Sequence, residues 1–73
     1  MSLTAIKKDD ETTRLEWERR TKGWSLRELA QISGVSLSTI VRAEKSQDIK
    51  LSHGILLAKA LECRVESLWK AGK

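Results

Sequence analysis

The side chains with the most to offer chemically lie between Leu37 and Arg42. Ile40 and Ala43 give this short helical stretch a narrow inward stripe, leaving Leu37, Ser38, Thr39, Val41 and Arg42 outside. Arg42 carries a planar fork that can bond guanine O6 and N7 together, a contact that discriminates by about 1–3 kcal/mol. Ser38 can donate to or accept from several bases and so discriminates weakly, and Leu37 can meet a thymine methyl. Leu37 has a second reading, in which it folds inward against the preceding helix.

This is recognition chemistry rather than bond-making. Cys63 is the only cysteine and His53 the only histidine, which excludes a disulfide within the chain and a standard zinc site built by one copy. No Cys/His nucleophile arrangement, paired carboxylate or glycine-rich phosphate loop is present, and short helices leave little room for a substrate pocket. An enzyme is not expected, and neither a metal nor any other cofactor is implied. His53 reads as a surface histidine and Cys63 as a small buried hydrophobe.

Those outward residues need a helix held at a fixed angle, and Ser25 to Glu44 supplies it. Ser25 with Glu28 three residues later has the spacing of a capping box. Leu26, Leu29, Ala30 and Ile32 then recur at three and four, so one helical face can be buried. Gly34 provides a position for positive φ, which ends that helix and turns the chain. Ser36 is a second N-cap. Two short helices joined by a tight glycine turn make a helix-turn-helix. The backbone N–H groups at the start of the first, with Ser25 and Arg27, would face a phosphate.

The same residues carry a family resemblance. Leu29-Ala30, Gly34, Val35-Ser36, Thr39-Ile40 and Glu44, with Arg19 and Gly23 upstream and Ala58, Leu61 and Leu68 downstream, resemble the lambda-repressor-like (Xre/Cro-type) helix-turn-helix family over residues 14 to 69. The resemblance implies an all-α fold, a compact five-helix lambda-repressor-like DNA-binding domain with helices 2 and 3 as the helix-turn-helix. It puts Leu37, Ser38 and Arg42 at base-reading positions, Thr39 close to the DNA backbone, and Lys45, Ser46 and Lys50 in a phosphate-contacting loop. It also makes Arg19 and Glu44 a structural ion pair that fixes the angle of helix 3. Leu26 stands where the family often has glutamine, which removes one polar DNA contact.

Seventy-three residues make one domain, and a chain this short buries only about 60% of its unfolded surface. Residues 1 to 11 read as a flexible N-terminal segment and 12 to 71 as the helix-turn-helix domain. Lys7 and Lys8 could form a DNA-reaching arm, against which stand the acidic Asp9, Asp10 and Glu11 and the simpler reading of a frayed terminus. Period-two runs of β-branched residues are absent, so a sheet protein is not expected. Helix 1 opens at Thr12 or Thr13 and closes at Gly23, and helix 4 runs from about Leu51 to Leu61 with Leu51, Ile55, Ala58 and Leu61 inward. Gly54 on that helix would admit another element closely. Trp24 reads as a staple residue of the core. Trp17 would pack on Leu3, on Ile6 or on a second subunit. Trp69 and Leu56 are candidates for a dimer seam, with Trp69 alternatively sealing the core.

Formal net charge is +4 with both signs interspersed, which permits phosphate binding without demanding it. No apolar run approaches the length of a signal peptide or a membrane span, so the expected compartment is the cytosol and no membrane partner is implied. With the resemblance, the expectation is a sequence-specific regulator of transcription on double-stranded DNA, a repressor acting as a homodimer on an inverted repeat. A protein-interaction module on the same fold, such as the antitoxin partner of a toxin, is the alternative.

Overall fold

A computed structural model describes residues 2–7, 12–45 and 48–71. In chain order the elements are β1 (Ser2–Ala5), α1 (Arg14–Thr21), α2 (Leu26–Ser33), α3 (Leu37–Glu44), β2 (Ile49–Lys50), α4 (Leu51–Ala60), α5 (Val65–Leu68) and β3 (Trp69–Ala71). The five helices of a lambda-repressor-like all-α domain are all present, joined by three short strands.

The first three helices each begin where a side chain satisfies a leading amide, at Thr13, Ser25 and Ser36. Thr13 caps α1, its hydroxyl accepting from Glu16 N, and the helix gives way at Lys22 and Gly23. Leu15, Leu29, Val35, Ile40, Ala43, Leu57, Ala58, Leu61 and Leu68 meet in a single core. Twelve buried apolar residues form that cluster, enough for about 60% burial of the unfolded surface but with little margin.

The N-terminal segment corrects the expectation of a frayed terminus. Ser2–Ala5 is the central strand of an antiparallel sheet ordered β2-β1-β3. Leu3 stands opposite Ile49 on one side and Ala71 on the other, and Ala5 opposite Trp69. Ile6 continues the attachment, its N–H donating to Leu68 O and its carbonyl accepting from Arg14 N. The sheet escaped sequence reading because its strands are two to four residues long and unite the two ends of the chain. Lys8 and the acidic Asp9, Asp10 and Glu11 lie outside the described residues.

That sheet also turns α4. The inward residues are Gly54, Leu57, Ala58 and Leu61, with Leu51 half-buried and Ile55 exposed. Of the expected stripe Ala58 and Leu61 are buried and Leu51 half-buried, but Ile55 is not inward; Gly54 and Leu57 take its place. Leu3 explains it: a Cβ on Gly54 would collide with Leu3 Cδ1 and lie 3.5 Å from Trp69 Cε3 and Val65 Cγ2. Only a glycine lets β1 and Trp69 approach the helix so closely.

Ile32 is likewise outward, 51% exposed, while Leu29 and Ser33 face in. Trp69 is 2% exposed and lies in β3, so it seals the core and cannot be a dimer seam. Its indole Nε1 has no hydrogen-bond partner. Leu56 remains exposed. Trp24 is half-buried against the core, and Trp17 is exposed beneath the Arg14 guanidinium, 5.3 Å from the ring centre.

Candidate nucleic-acid interface

The first helix of the pair is built by its own sequence. Ser25 Oγ accepts from Glu28 N at 3.0 Å, and Glu28 Oε1 accepts from Ser25 N at 2.9 Å, closing both halves of the capping box. Of the four amides that begin this helix, the box satisfies the first and last, leaving those of Leu26 and Arg27 to look outward. Glu28 also places a carboxylate at the positive end of the helix dipole, where a phosphate would otherwise sit. Ser25 and Arg27 are exposed as a phosphate contact requires.

The turn is held from inside. Gly34 adopts φ 77°, and its N–H donates to Ala30 O. Ser33 is buried, with its Oγ accepting from Val35 N at 3.2 Å. Ser36 then caps α3 and binds Thr39 Oγ1 at 2.8 Å and Ser38 Oγ at 3.4 Å. Ser36 was legible as a cap, but its role in orienting the hydroxyls of two candidate contacts required coordinates.

On α3, Ile40 and Ala43 are wholly buried, while Leu37 is 40% exposed. Leu37 therefore does not fold inward against α2. Ser38 and Arg42 are exposed, Thr39 and Val41 half-buried. Leu37, Ser38 and Arg42 share the accessible side of a helix whose opposite face is locked into the core.

Its orientation is fixed at its far end. Arg19 Nε donates to Glu44 Oε2 at 2.6 Å, Nη2 to Glu44 Oε1 at 3.1 Å, and Nη1 to Trp24 O at 2.7 Å. The guanidinium thus ties α1, the start of α2 and the end of α3 to one another. The two side chains retain only 11% and 8% of their exposure, and the hydrogen bond to Glu44 raises the Arg19 pKa further above its ordinary value. Arg19 remains charged at every accessible pH, which keeps the fork closed. Thr13, fully buried, adds a hydrogen bond from its Oγ1 to Glu44 O at 3.3 Å. No pattern in the sequence pointed to that second tie.

Beyond α3, Lys45 and Lys50 are exposed, and Ser46 lies outside the described residues. Thr39, Arg42 and Lys50 come together around a surface cleft of about 230 Å³, whose other walls are Asp48, Ile49 and His53. Ser25, Arg27, Leu37, Ser38 and Lys45 do not line it. Asp48 Oδ1 accepts a hydrogen bond from Thr4 Oγ1 at 2.9 Å, so the N-terminal strand reaches the cleft's wall. Sequence reasoning passed over His53 and Asp48, since neither has a partner nearby in the chain.

No three metal-ligating side chains converge among the described residues. Cys63 is half-buried, and burial pushes its thiol pKa up, away from the reactive thiolate. None of the described helices is long and apolar enough to cross a membrane.

A capped helix, a left-handed glycine turn and a second helix with one buried and one open face define a helix-turn-helix protein. The family model described as helix-turn-helix matches residues 15–68, and the chain belongs to the lambda-repressor-like (Xre/Cro-type) helix-turn-helix family, a family of DNA-binding regulators. Comparison with curated proteins finds no match. Comparison with solved structures finds none either.

Proposed function

We infer that the chain is a sequence-specific regulator of transcription that binds double-stranded DNA with α3 in the major groove. The observation that carries this is the division of α3 between a wholly buried Ile40/Ala43 face and an open face presenting Leu37, Ser38 and Arg42. Arg42 reads a guanine, Ser38 and Leu37 refine the neighbouring positions, and Ser25, Arg27, Thr39, Lys45, Ser46 and Lys50 contact the backbone. The chain acts as a homodimer on an inverted repeat whose half-sites lie about 34 Å apart. It represses by occluding polymerase. Of the two seam candidates only Leu56 remains available, beside the equally exposed Ile55.

Selection of bound duplexes from random DNA, with Arg42→Ala in parallel, tests this reading. A two-fold symmetric motif is the expected result, with the variant relaxing one base pair per half-site by about 1–3 kcal/mol. Failure to enrich any sequence at low salt, where phosphate contacts are strongest, would overturn it.

Leu37 favours a second reading. An exposed leucine on a polar reading face suits a protein partner, such as a toxin bound by its antitoxin. Leu37→Gln separates the two, strengthening DNA binding under the first and weakening partner binding under the second.

A further inference from the structure

The cleft beside the open face of α3 has walls from three parts of the chain. Thr39 and Arg42 come from α3, Asp48, Ile49 and Lys50 from the segment paired to the N-terminal strand, and His53 from α4. Arg42 and Lys50 contribute two positive charges and Asp48 one negative, leaving a single positive charge while His53 is neutral. Protonating His53 doubles it. The Asp48 carboxylate is engaged through Oδ1 by the Thr4 hydroxyl, and among the described residues no other acidic side chain lines the space. At about 230 Å³ the cleft is large enough for a phosphodiester group. The net positive charge of this lining favours an anion over a cation.

We propose that this cleft seats one backbone phosphate of the DNA, with Lys50 and His53 as its charged ligands and Thr39 as a hydroxyl donor. The proposal rests on the DNA-binding reading and adds His53 to it. Arg42 flanks the seat and supplies field there while reading its base. A phosphate placed against the imidazole favours the protonated ring, so binding takes up a proton where the free ring is neutral. Facing His53 are Thr39 and Arg42 from α3 and Asp48 and Lys50 from the paired segment. His53 is the only histidine in the chain. The sign follows: the extra affinity is present at low pH and disappears as pH rises and the bound imidazolium loses its proton.

The test uses the full chain and a duplex recovered by selection, or a mixed-sequence duplex at low salt. Dissociation constants are measured from pH 5.5 to 8.0 for the natural chain, His53→Gln and His53→Lys. The natural chain is expected to bind about two- to fivefold more weakly at the upper end, the change for losing one exposed ion pair. His53→Gln should be flat with pH and as weak as the natural chain at pH 8.0. His53→Lys should be flat and as tight as the natural chain at pH 5.5, with the salt slope of a protein making about one more phosphate contact than the glutamine variant. Circular dichroism of both variants shows whether each is folded at every pH, and the lysine variant retains a readout if glutamine weakens the fold. Firm DNA binding with the same pH curve in the natural chain and in His53→Gln would overturn the proposal and leave the DNA reading intact. Absence of binding to any duplex at low salt and pH 5.5 would overturn both. Inorganic phosphate that shifts the His53 ring resonances as strongly as the duplex does, while the variants bind DNA alike, assigns the cleft to free anions and overturns the DNA-backbone source.

Discussion

The helix-turn-helix and the sheet hold their elements by different physics. Around α2 and α3 the geometry is set by polar groups: the Ser25–Glu28 box, the left-handed Gly34, the Ser36 cap and the Arg19–Glu44 fork. Around β1 and α4 it is set by apolar closeness, with Leu3 pressed onto Gly54 and Trp69 packed alongside. Polar devices fix direction, because hydrogen bonds have preferred angles. Apolar contact fixes distance and is indifferent to direction until the backbone comes near. A reading helix has to be aimed, and the polar devices surround it. The N-terminal strand has only to be kept in place: its ladders to β2 and β3 hold it in the sheet, and Leu3 against Gly54 sets how close it lies to α4.

The sharpest way to break the comparison is at its two centres. Arg19→Ala leaves Glu44 charged and largely buried, and removing one partner of such a pair costs about 4 kcal/mol, near the whole stability of a small domain. Chemical denaturation should therefore find this variant mostly unfolded without DNA. Arg19→Met, which fills the space but keeps the orphaned carboxylate, should fare little better, whereas the double variant Arg19→Met/Glu44→Leu should recover most of the loss. Leu3→Ala comes next, at about 3 kcal/mol for a buried leucine that leaves a cavity. A frayed N-terminus predicts no change there, so an unaltered denaturation midpoint would restore that reading and remove β1 from the fold.

How far each region was legible follows from the same contrast. Capping boxes and glycine turns are written in four or five consecutive residues, so Ser25, Glu28, Gly34 and Ser36 could be read directly. The Arg19–Glu44 pair spans 25 positions, and it was reached only through the family resemblance. Leu3 meeting Ile49 and Ala71 has neither advantage: the strands are too short to show alternation, and β1 lies outside the matched residues 15–68. With β1 unseen, Ala58 and Leu61 could be read as inward on α4, but Ile55 took the place that belongs to Gly54 and Leu57. The candidate interface divided in the same way. Exposure of Ser38 and Arg42 followed from the pattern of α3, which left Leu37 open to either placement, but the meeting of Thr39, Lys50 and His53 depends on how α4 is hung from the sheet.

A smaller effect belongs to the turn. Gly34→Ala has open space around its new methyl group, so nothing clashes, and the cost is that of holding an L-residue at φ 77°, about 1–2 kcal/mol. Asn at the same position should recover part of it, since its short polar side chain tolerates the left-handed region. Thermal unfolding ordered Gly34, then Asn, then Ala would support the turn as built. Equal midpoints for Gly34 and Ala would mean that the helices are not joined through a left-handed residue.

Gly54→Ala is the most delicate case, because two effects of similar size oppose each other. Alanine favours the helix by about 1 kcal/mol relative to glycine. Its methyl group, however, enters the space of Leu3 Cδ1, and overpacking of this kind costs about 1–3 kcal/mol. The net expectation is a loss of about 1 kcal/mol in the natural chain. In a Leu3→Ala background the clash disappears, and the same substitution should become stabilising by up to the full helix preference. That reversal of sign can be measured as a coupling energy between two positions 51 residues apart in sequence. A Gly54→Ala effect of the same sign and size in both backgrounds would mean that Leu3 does not rest on α4. The helix would then be free to turn, and Ile55 could take the inward position expected of it.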